Sequence, residues 1–317
     1  MNYCEVIEKT HAYNNIRRDM ESKRFAHAFL FVSADTDYLL EFAKKVSMLI
    51  IDDKNANNKI QKEVYPDVII LGKTSKITSQ DASQLTQSVY VHGYNSDKKV
   101  YILIDCDEMN EESQNKLLKT IEEPPENVYL LLLARNTNSL LQTILSRVSK
   151  VELDKIETSD IERMLVESGV SNITASEVAP CSNNNAMLAL KLAEDKNFKT
   201  LYDNTLRMFE MNSSKDIIDF AKIFSQKSVD KEEWINLIMM FCRDILVYKA
   251  GKKNLVESKS AENRIAALSD SFSVTALTKI IEECLKSAES LQYNVNETCV
   301  VDELLLKFVE VKVRCRK

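Results

Sequence analysis

Four short apolar runs, each separated from the next by a segment with helical periodicity, constrain this fold more than any other sequence feature. Runs of this kind are typical of strands that are buried on both faces, as in parallel sheets. The intervening segments place apolar side chains at i, i+3, i+4 and i+7, as amphipathic helices do. The pattern therefore predicts an α/β fold with a mainly parallel sheet and helices on both faces. The runs are residues 28–32, 67–71, 100–104 and 128–133.

The periodicity changes after residue 154, where the apolar runs stop and only helical patterns continue. Ser159 and Glu162 have the spacing of a helix capping box, and we expect a small helical domain to begin there. From Tyr202 onward, broad apolar stripes predict a helical bundle, and part of that surface could instead pack against other subunits. The expected domains are a sheet domain over residues 1–154, a small helical domain over 155–201 and a larger helical domain over 202–317.

The composition argues against several classes of protein. A net charge of −6 does not favour tight binding of the isolated chain to DNA through one large basic surface. The seven cysteines include no C-x-x-C pair, which argues against zinc, and no metal is expected. The first residues do not resemble a signal peptide, and no apolar run approaches the ~20 residues of a membrane helix. We expect a cytoplasmic protein with reduced thiols.

Residues 100–148 contain a series of polar positions at the ends of their predicted elements. The positions are Asp105 after one strand, Glu122-Glu123-Pro124-Pro125 at a helix end, Asn136 after the next strand, and Ser146-Arg147 near the end of the segment. Ligands of open α/β sheets bind in the crevice outside the carboxyl ends of the strands. This order of residues resembles the clamp-loader branch of the AAA+ ATPases, and within it most closely the delta-prime family of the bacterial DNA polymerase III clamp loader.

The resemblance implies a role for two of these strand ends. Asp105 would correspond to the Walker B acid that holds magnesium, and Asn136 to the sensor 1 polar residue, both vestigial here. The catalytic glutamate of the family belongs next to Asp105, where this chain has Cys106. On a continued strand, Asp107 and Glu108 would be out of register with that position, and the segment is one residue shorter than the family pattern, so its alignment stays open. Taken alone, an acid after an apolar strand usually begins a solvated loop.

The segment that would have to form a phosphate loop lacks the features of one. Such a loop needs glycines that let backbone amides approach the phosphates, a lysine, and a Ser or Thr hydroxyl for magnesium. In the family it follows a strand similar to residues 27–31, and here the next segment is residues 33–40, without glycine or lysine. Asp35 and Asp37 place carboxylates where the phosphates of ATP would lie, and like charges repel. We therefore predict a dead ATP site and no bound cofactor.

Two further positions bear on nucleotide binding. Gly72-Lys73-Thr74 has the closing tripeptide of a phosphate loop, but the glycine required before it is replaced by Asp67, inside a predicted strand. The resemblance places the sensor 2 arginine of the family in a later turn-and-helix segment, where Leu188 stands. A chain that lacks the phosphate loop and the sensor 2 arginine is not expected to hydrolyse ATP.

The resemblance implies a functional role for Arg147. Clamp-loader subunits carry a Ser-Arg-Cys motif whose arginine enters the ATP site of a neighbouring subunit, and this chain reads Ser146-Arg147-Val148. Arginine suits that role because its guanidinium stays charged and donates to phosphate oxygens in a fixed fork. We expect Arg147, with Ser146, to act in trans as an arginine finger. The alternative is a structural salt bridge at a domain junction.

Contact with DNA has two interpretations. The predicted helix after Asn110 carries Lys116 and Lys119 outside its apolar face, and a helix start favours phosphate groups. Glu111 and Glu112 in the first turn oppose that attraction. A solvated face is the favoured interpretation, and a weak contact with the duplex backbone in an assembled ring is the alternative.

The resemblance implies a degenerate AAA+ module, a helical lid and a helical collar for the three predicted domains. The expected function is that of a non-hydrolysing delta-prime-like subunit that aids ATP-dependent loading of the sliding clamp onto primed DNA. Its expected partners are the gamma/tau motor and delta subunits, the clamp and primed DNA, with no membrane. The alternatives are an active gamma/tau-type ATPase, which the missing phosphate loop disfavours, and a DNA-binding AAA+ relative outside replication. The sequence does not determine the stoichiometry or which neighbour receives Arg147.

Overall fold

A parallel sheet occupies the first part of the chain. The computed structural model describes residues 3–22, 25–211, 214–293 and 295–314, and within them five strands form this sheet. The order across the sheet is β2-β3-β4-β1-β5, and each neighbouring pair is parallel, so the predicted sheet is confirmed. The strands are β1 Ala28–Val32, β2 Val68–Leu71, β3 Lys99–Leu103, β4 Val128–Ala134 and β5 Ser149–Glu152.

Helices cover both faces of this sheet, as predicted. On one face, Phe42 of the helix after β1 packs against Phe31, with ring centroids 5.0 Å apart. On the other face, Leu85 and Leu117 join Leu30 in one buried cluster. Successive side chains of a strand point to opposite faces, so Leu30 and Phe31 reach different layers. The helices are α1 Cys4–Lys9, α2 His11–Glu21, α3 Thr36–Ile51, α4 Lys54–Gln61, α5 Ser79–Ser88, α6 Glu111–Glu122 and α7 Gln142–Leu145.

Strand β5 and the helix that follows it differ from the sequence-based expectations. β5 has the sequence Ser-Lys-Val-Glu and was not predicted, because it contains no apolar run. It lies at the sheet edge beside β1 and is largely exposed, so it needs few apolar side chains. The expected capping box at Ser159 and Glu162 is wrong, because helix α8, Thr158–Glu167, already includes the residue before Ser159.

The chain divides into two compact units. The first contains residues 1–160 and 185–187, and the second contains residues 161–184 and 188–317. The sheet lies in the first unit, and the regular elements described in the second unit are all helices. The predicted division into three domains, with boundaries at residues 154 and 201, stays a prediction.

An aromatic core holds the helices of the second unit together. Trp234 stacks on Phe224 with ring centroids 4.4 Å apart, and Phe209 packs edge-on against Phe308 at 5.1 Å. The predicted helix stop at Gly251 is confirmed, because this residue follows the end of α13 and has a φ of 79°, which favours glycine. The helices after α8 are α9 Asn172–Val178, α10 Ala186–Glu194, α11 Phe198–Met208, α12 Ser214–Phe224, α13 Lys231–Lys249, α14 Glu262–Ser271, α15 Val274–Gln292 and α16 Glu297–Arg314.

Two further properties concern the described ranges as a whole. No helix in them is both long and apolar enough to span a bilayer. No group of three or more His, Cys, Asp or Glu side chains in them is arranged to hold a metal ion, and the expected absence of a metal stays a prediction. Cys315 lies outside the described residues. The cysteines described as free thiols are Cys106, Cys181, Cys242, Cys284 and Cys299.

Candidate functional site

The polar positions predicted for a nucleotide site lie along one edge of the sheet. β1 pairs with β4 and β4 pairs with β3, all in parallel, so the carboxyl ends of these three strands are neighbours. The segments that follow them carry Asp35, Asp105 and Asn136, in the order β1, β3, β4. We call this region, formed by the segments after β1, β3 and β4, the carboxyl edge. The structure thus brings the predicted positions together.

Asp35 caps α3, the helix that follows β1. Its Oδ1 accepts a hydrogen bond from the amide of Tyr38 at 2.9 Å, and the residue is only 4% exposed. The first-turn amides of a helix favour an anionic partner. Burial raises the pKa of Asp35 above its ordinary value, while the Tyr38 amide acts in the opposite direction. The start of α3 therefore carries a carboxylate from the chain itself, at the place where a phosphate loop would present amides to ATP.

Aromatic rings pack at this same helix start. Tyr3 stacks on Tyr38 with ring centroids 6.0 Å apart, and both side chains are buried. Burial, and after it the charge of Asp35, raises the pKa of the Tyr3 hydroxyl. A phenol in such surroundings stays protonated, so it adds bulk and no charge. Residues 33–40 thus end in packed side chains, without the glycines that would let a phosphate approach the backbone.

Arg135, directly after β4, pairs with three carboxylates. Its Nε lies 3.9 Å from Asp105 Oδ1 and 3.8 Å from Asp107 Oδ2, and its Nη2 contacts Glu108 Oε1. Lys76 adds a second cation, with Nζ 3.0 Å from Glu108 Oε2. A magnesium ion would have to compete with these cations for the same oxygens. The protein's own cations therefore lie beside the acids at the predicted Walker B position and pair most closely with Glu108.

The turn after β3 differs from the strand considered in the sequence analysis. β3 ends at Leu103, Asp105 has a left-handed backbone with φ of 50°, and residues 106–108 form a 3-10 turn. Asp107 and Glu108 therefore lie in a turn and not on a continued strand. Cys106 is buried within this turn, and burial raises the pKa of its thiol to about 12. A thiol of this kind stays protonated and cannot replace the missing catalytic glutamate as a base.

Asn136, the predicted sensor 1 residue, lies on the carboxyl edge and is exposed. Its Oδ1 accepts a hydrogen bond from the amide of Asn138 at 3.0 Å. An Asn side chain that bonds the backbone two residues later stabilises a turn. The position agrees with the sensor 1 prediction, while the observed contact is a local structural one, and the sensor role stays a prediction.

The tripeptide Gly72-Lys73-Thr74 has a structural explanation. Gly72 has a φ of 91°, and a Cβ atom on it would lie 2.6 Å from the carbonyl oxygen of Ile104. The glycine is needed because the backbone after β2 approaches the backbone after β3 this closely. Lys73 pairs with Glu63 instead of facing an open anion site.

Arg147 follows α7, and its side chain is 39% exposed. Its Nη1 donates to the carbonyl oxygen of Thr143 at 2.9 Å and to Ser146 Oγ at 3.2 Å. Its Nε lies 2.6 Å from Oε1 of Glu122, the last residue of α6. The ion pair expected under the structural alternative is thus present. It involves an arginine that is still accessible to a neighbouring molecule.

The two lysines weighed for DNA contact differ. Lys116 Nζ lies 2.9 Å from Glu112 and donates to the carbonyl oxygen of Ser79 at 3.2 Å. Lys119 is exposed. Because Lys116 is engaged within the chain, the solvated-face interpretation is the better one for it, and a DNA contact at Lys119 stays a prediction.

Sequence reasoning missed the roles of Arg135 and Glu122. Arg135 directly precedes Asn136, so its place at the end of a strand was readable. Its partners were not, because they depend on the turn after β3. Glu122 belongs to the Glu-Glu-Pro-Pro segment, but its pairing with Arg147 depends on the contact between α6 and α7.

Comparison with protein families gives two matches, one in each half of the chain. Residues 8–157 match the family model described as "DNA polymerase III, delta subunit". Residues 196–310 match the model described as "DNA polymerase III, delta subunit, C terminal". Together the two matches include most of the chain.

Individual relatives are consistent with these family matches. DNA polymerase III subunit delta' of Bacillus subtilis is 24% identical over 314 residues, which cover 94% of each chain. DNA polymerase III subunit gamma of Buchnera aphidicola subsp. Schizaphis graminum is 24% identical over 283 residues, 80% of this chain and 78% of the relative. Among solved structures, a DNA polymerase III gamma subunit-related protein from Thermotoga maritima is 18% identical and has a TM-score of 0.47, with 97% of both chains covered.

Proposed function

This chain belongs to the DNA polymerase III delta-subunit family, and we propose that it acts as a delta'-type subunit of a bacterial clamp loader. In this role it aids the ATP-dependent loading of a sliding clamp onto primed DNA. Its partners are gamma/tau-type motor subunits, a delta subunit, the clamp and the primed DNA, and it acts in the cytoplasm. The observation that carries the proposal is the match to the Bacillus subtilis delta' subunit over 94% of both chains.

The chain itself does not hydrolyse ATP in this proposal. Two features of the carboxyl edge support this part. Asp35 accepts from the Tyr38 amide at the start of α3, where a phosphate would need such a donor. Arg135 lies among the carboxylates at positions 105, 107 and 108, where a magnesium ion would need their oxygens. The phosphates of a bound nucleotide would therefore lie beside a carboxylate of the chain. Its magnesium ion would have to compete with the Arg135 guanidinium for the same oxygens.

In this proposal the chain contributes to hydrolysis through Arg147, which acts in trans at the ATP site of a neighbouring motor subunit. Support comes from the exposure of its side chain and from Ser146, which lies beside the guanidinium and accepts from it. In the same proposal, residues 155–201 form a helical lid and residues 202–317 a collar that binds the other subunits.

An active gamma/tau-type ATPase is the second candidate, because a gamma subunit also matches most of the chain. The sequence of residues 33–40 separates the two, since a motor subunit requires a functional phosphate loop. The contacts of Asp35 and Arg135 favour the delta'-type role for the same reason.

Reconstitution tests the proposed function directly. The loader is assembled from its motor and delta subunits with and without this chain, and the transfer of a labelled clamp to primed DNA is measured. We expect loading only when the chain is present. In parallel, calorimetry of the purified chain with magnesium and ATP should give no saturable heat at about millimolar concentration. Normal loading without the chain, or saturable ATP binding by the chain alone, would contradict the proposal.

A further inference from the structure

Glu122 approaches the Arg147 guanidinium most closely at Nε. A guanidinium has five N–H donors in a planar fork. Nη1 donates to Thr143 and Ser146, and Nε lies against the Glu122 carboxylate. Among the residues that the structure describes, Nη2 has no hydrogen-bond acceptor. The chain thus holds two of the three nitrogens and leaves the third for a partner outside the chain.

We propose that Glu122 is a positioning residue for Arg147, holding the guanidinium so that Nη2 is presented to phosphate oxygens of the ATP in the neighbouring subunit. This inference rests on the proposed arginine-finger role. Glu122 touches neither the nucleotide nor the reacting atoms, and it acts only through Arg147. Its carboxylate fixes the guanidinium at Nε, which leaves Nη2 able to donate to an oxyanion.

The backbone that carries Glu122 is well suited to this task because it is fixed. The carbonyl oxygen of Ile121 lies 2.6 Å from His27 Nε2, and the Ile121 side chain is buried. The amide of Glu123 donates to the carbonyl oxygen of Lys119 at 3.0 Å, closing α6. Pro124 and Pro125 follow, and each proline ring restricts the backbone further. A side chain attached to such a rigid helix end can define the position of its partner.

The expected size of the effect follows from the exposure of the pair. Glu122 and Arg147 are 44% and 39% exposed, and an exposed ion pair contributes little free energy in water. Loss of the Glu122 charge should therefore lower the rate of hydrolysis at the neighbouring site by roughly two- to fivefold. Removal of the Arg147 guanidinium should have a far larger effect, about 10³- to 10⁵-fold at that site.

A double-mutant cycle on the reconstituted loader tests the inference. Single-turnover ATP hydrolysis is measured with wild type, Glu122→Gln, Arg147→Ala and the double variant. Glu126→Gln is the matched control, because it removes an exposed carboxylate from the same connection that forms no ion pair within the described residues. We expect Glu122→Gln to lower the rate constant without changing the ATP concentration at half-maximal rate, and the control to match wild type.

The cycle separates the possible outcomes. If Glu122 acts through Arg147, Glu122→Gln has no further effect once Arg147 is alanine. Ser146→Ala, which removes another contact of the guanidinium, should lower the rate in the same direction as Glu122→Gln. Two outcomes would overturn the positioning role while leaving the finger role intact. In the first, Glu122→Gln hydrolyses ATP at least as fast as wild type. In the second, Glu122→Gln lowers the rate by the same factor whether residue 147 is arginine or alanine. A normal rate with Arg147→Ala overturns the finger itself, and the positioning role with it.

Discussion

Two arginines of the sheet unit, Arg135 and Arg147, are exposed to a similar degree and have different surroundings. The side chains are 42% and 39% exposed. Arg135 lies within 4 Å of carboxylates from three residues, whereas Arg147 has one carboxylate and two neutral acceptors. The positive charge of Arg135 is therefore used inside the chain. Arg147 has a single carboxylate partner, and its Nη2 remains able to donate to an anion from another molecule.

The comparison shows that exposure alone does not identify a functional arginine. Both side chains reach solvent. Each also lies next to a predicted site position, Arg135 beside Asn136 and Arg147 beside Ser146. What separates them is the number of carboxylates within reach. By that criterion we expect Arg135 to stabilise the fold of the carboxyl edge and Arg147 to be the arginine that acts on a neighbouring subunit.

The largest expected effect is that of Arg147→Ala on the loader. Hydrolysis at the one ATP site that receives the side chain should fall by about 10³- to 10⁵-fold, because the transition-state charge loses its guanidinium. The purified variant should unfold within about 0.5 kcal/mol of wild type, since the residue is exposed. Single-turnover hydrolysis and urea unfolding are the two measurements. Arg147→Lys should restore little activity, because a point charge does not replace the fork. Wild-type clamp loading by the alanine variant would erase the functional difference between the two arginines.

Arg135→Ala should give the opposite pattern, a stability defect with little effect on hydrolysis by the motor. Its removal leaves the carboxylates of Asp105, Asp107 and Glu108 close together without their shared cation, and we expect a loss of about 1 kcal/mol in unfolding free energy. Arg17→Ala is the control, because Arg17 has a single exposed partner, Glu21 at 3.9 Å, and should change stability by less. Urea unfolding compares the two.

The pH dependence of Arg135→Ala sharpens this assignment. Lys76 and Arg135 lower the pKa of Glu108 below its ordinary value. A carboxylate with a lowered pKa stabilises the folded chain above its unfolded pKa, and that contribution disappears as the pH falls through its folded pKa. The difference in unfolding free energy between wild type and Arg135→Ala should therefore become smaller at acidic pH. A deficit that is constant with pH would show that Arg135 stabilises the fold by packing and not by charge.

The smallest expected effect concerns Asp35, a buried acid without a cation among the causes that shift its pKa. Burial raises that pKa, so the contribution of Asp35 to stability is complete below its unfolded value of 3.8 and is lost as the pH rises through its folded value. Asp35→Asn keeps an oxygen for the Tyr38 amide and removes the charge. We expect the variant to be at least as stable as wild type at about pH 7.5, with an advantage of less than about 1 kcal/mol in unfolding free energy, and this advantage should be smaller at about pH 4.5.

The test of Asp35 is urea unfolding at both pH values, with Asp53→Asn as the control. Asp53 also caps a helix, with its Oδ1 2.9 Å from the amide of Asn55, but it is exposed. Its variant should show no comparable change between the two pH values. A strong loss of stability for Asp35→Asn at the higher pH would mean that the ionised carboxylate is required at the start of α3.

The parts of the architecture that depend on the local pattern of residues were predictable from the sequence. Buried strands need continuous apolar runs, so four of the five described strands were found, and the polar edge strand β5 was missed because it lacks that signal. The absence of glycine and lysine from residues 33–40 was equally visible, and the dead ATP site inferred from it stays a prediction. These features depend on residue type and spacing alone.

The contacts of the site were less predictable because they depend on tertiary geometry. The pairing of Arg135 with Asp107 requires the left-handed backbone at Asp105, which turns residues 106–108 back towards β4. The pairing of Arg147 with Glu122 requires α6 and α7 to meet. In each case the sequence contains both acids and an arginine. Only the fold determines which acid pairs with which arginine.

The ion pairs of Arg135 would oppose magnesium binding in an engineered nucleotide site. Even with glycines and a lysine introduced after β1, the guanidinium would still lie among the oxygens that a magnesium ion has to occupy. Replacing Arg135 first would leave those carboxylates repelling one another with no metal yet to join them. The introduction of a magnesium site would therefore require substitutions at two separate strand ends together. The ion pairs of Arg135 thus couple the segment after β4 to the turn after β3, so that neither can be redesigned without the other.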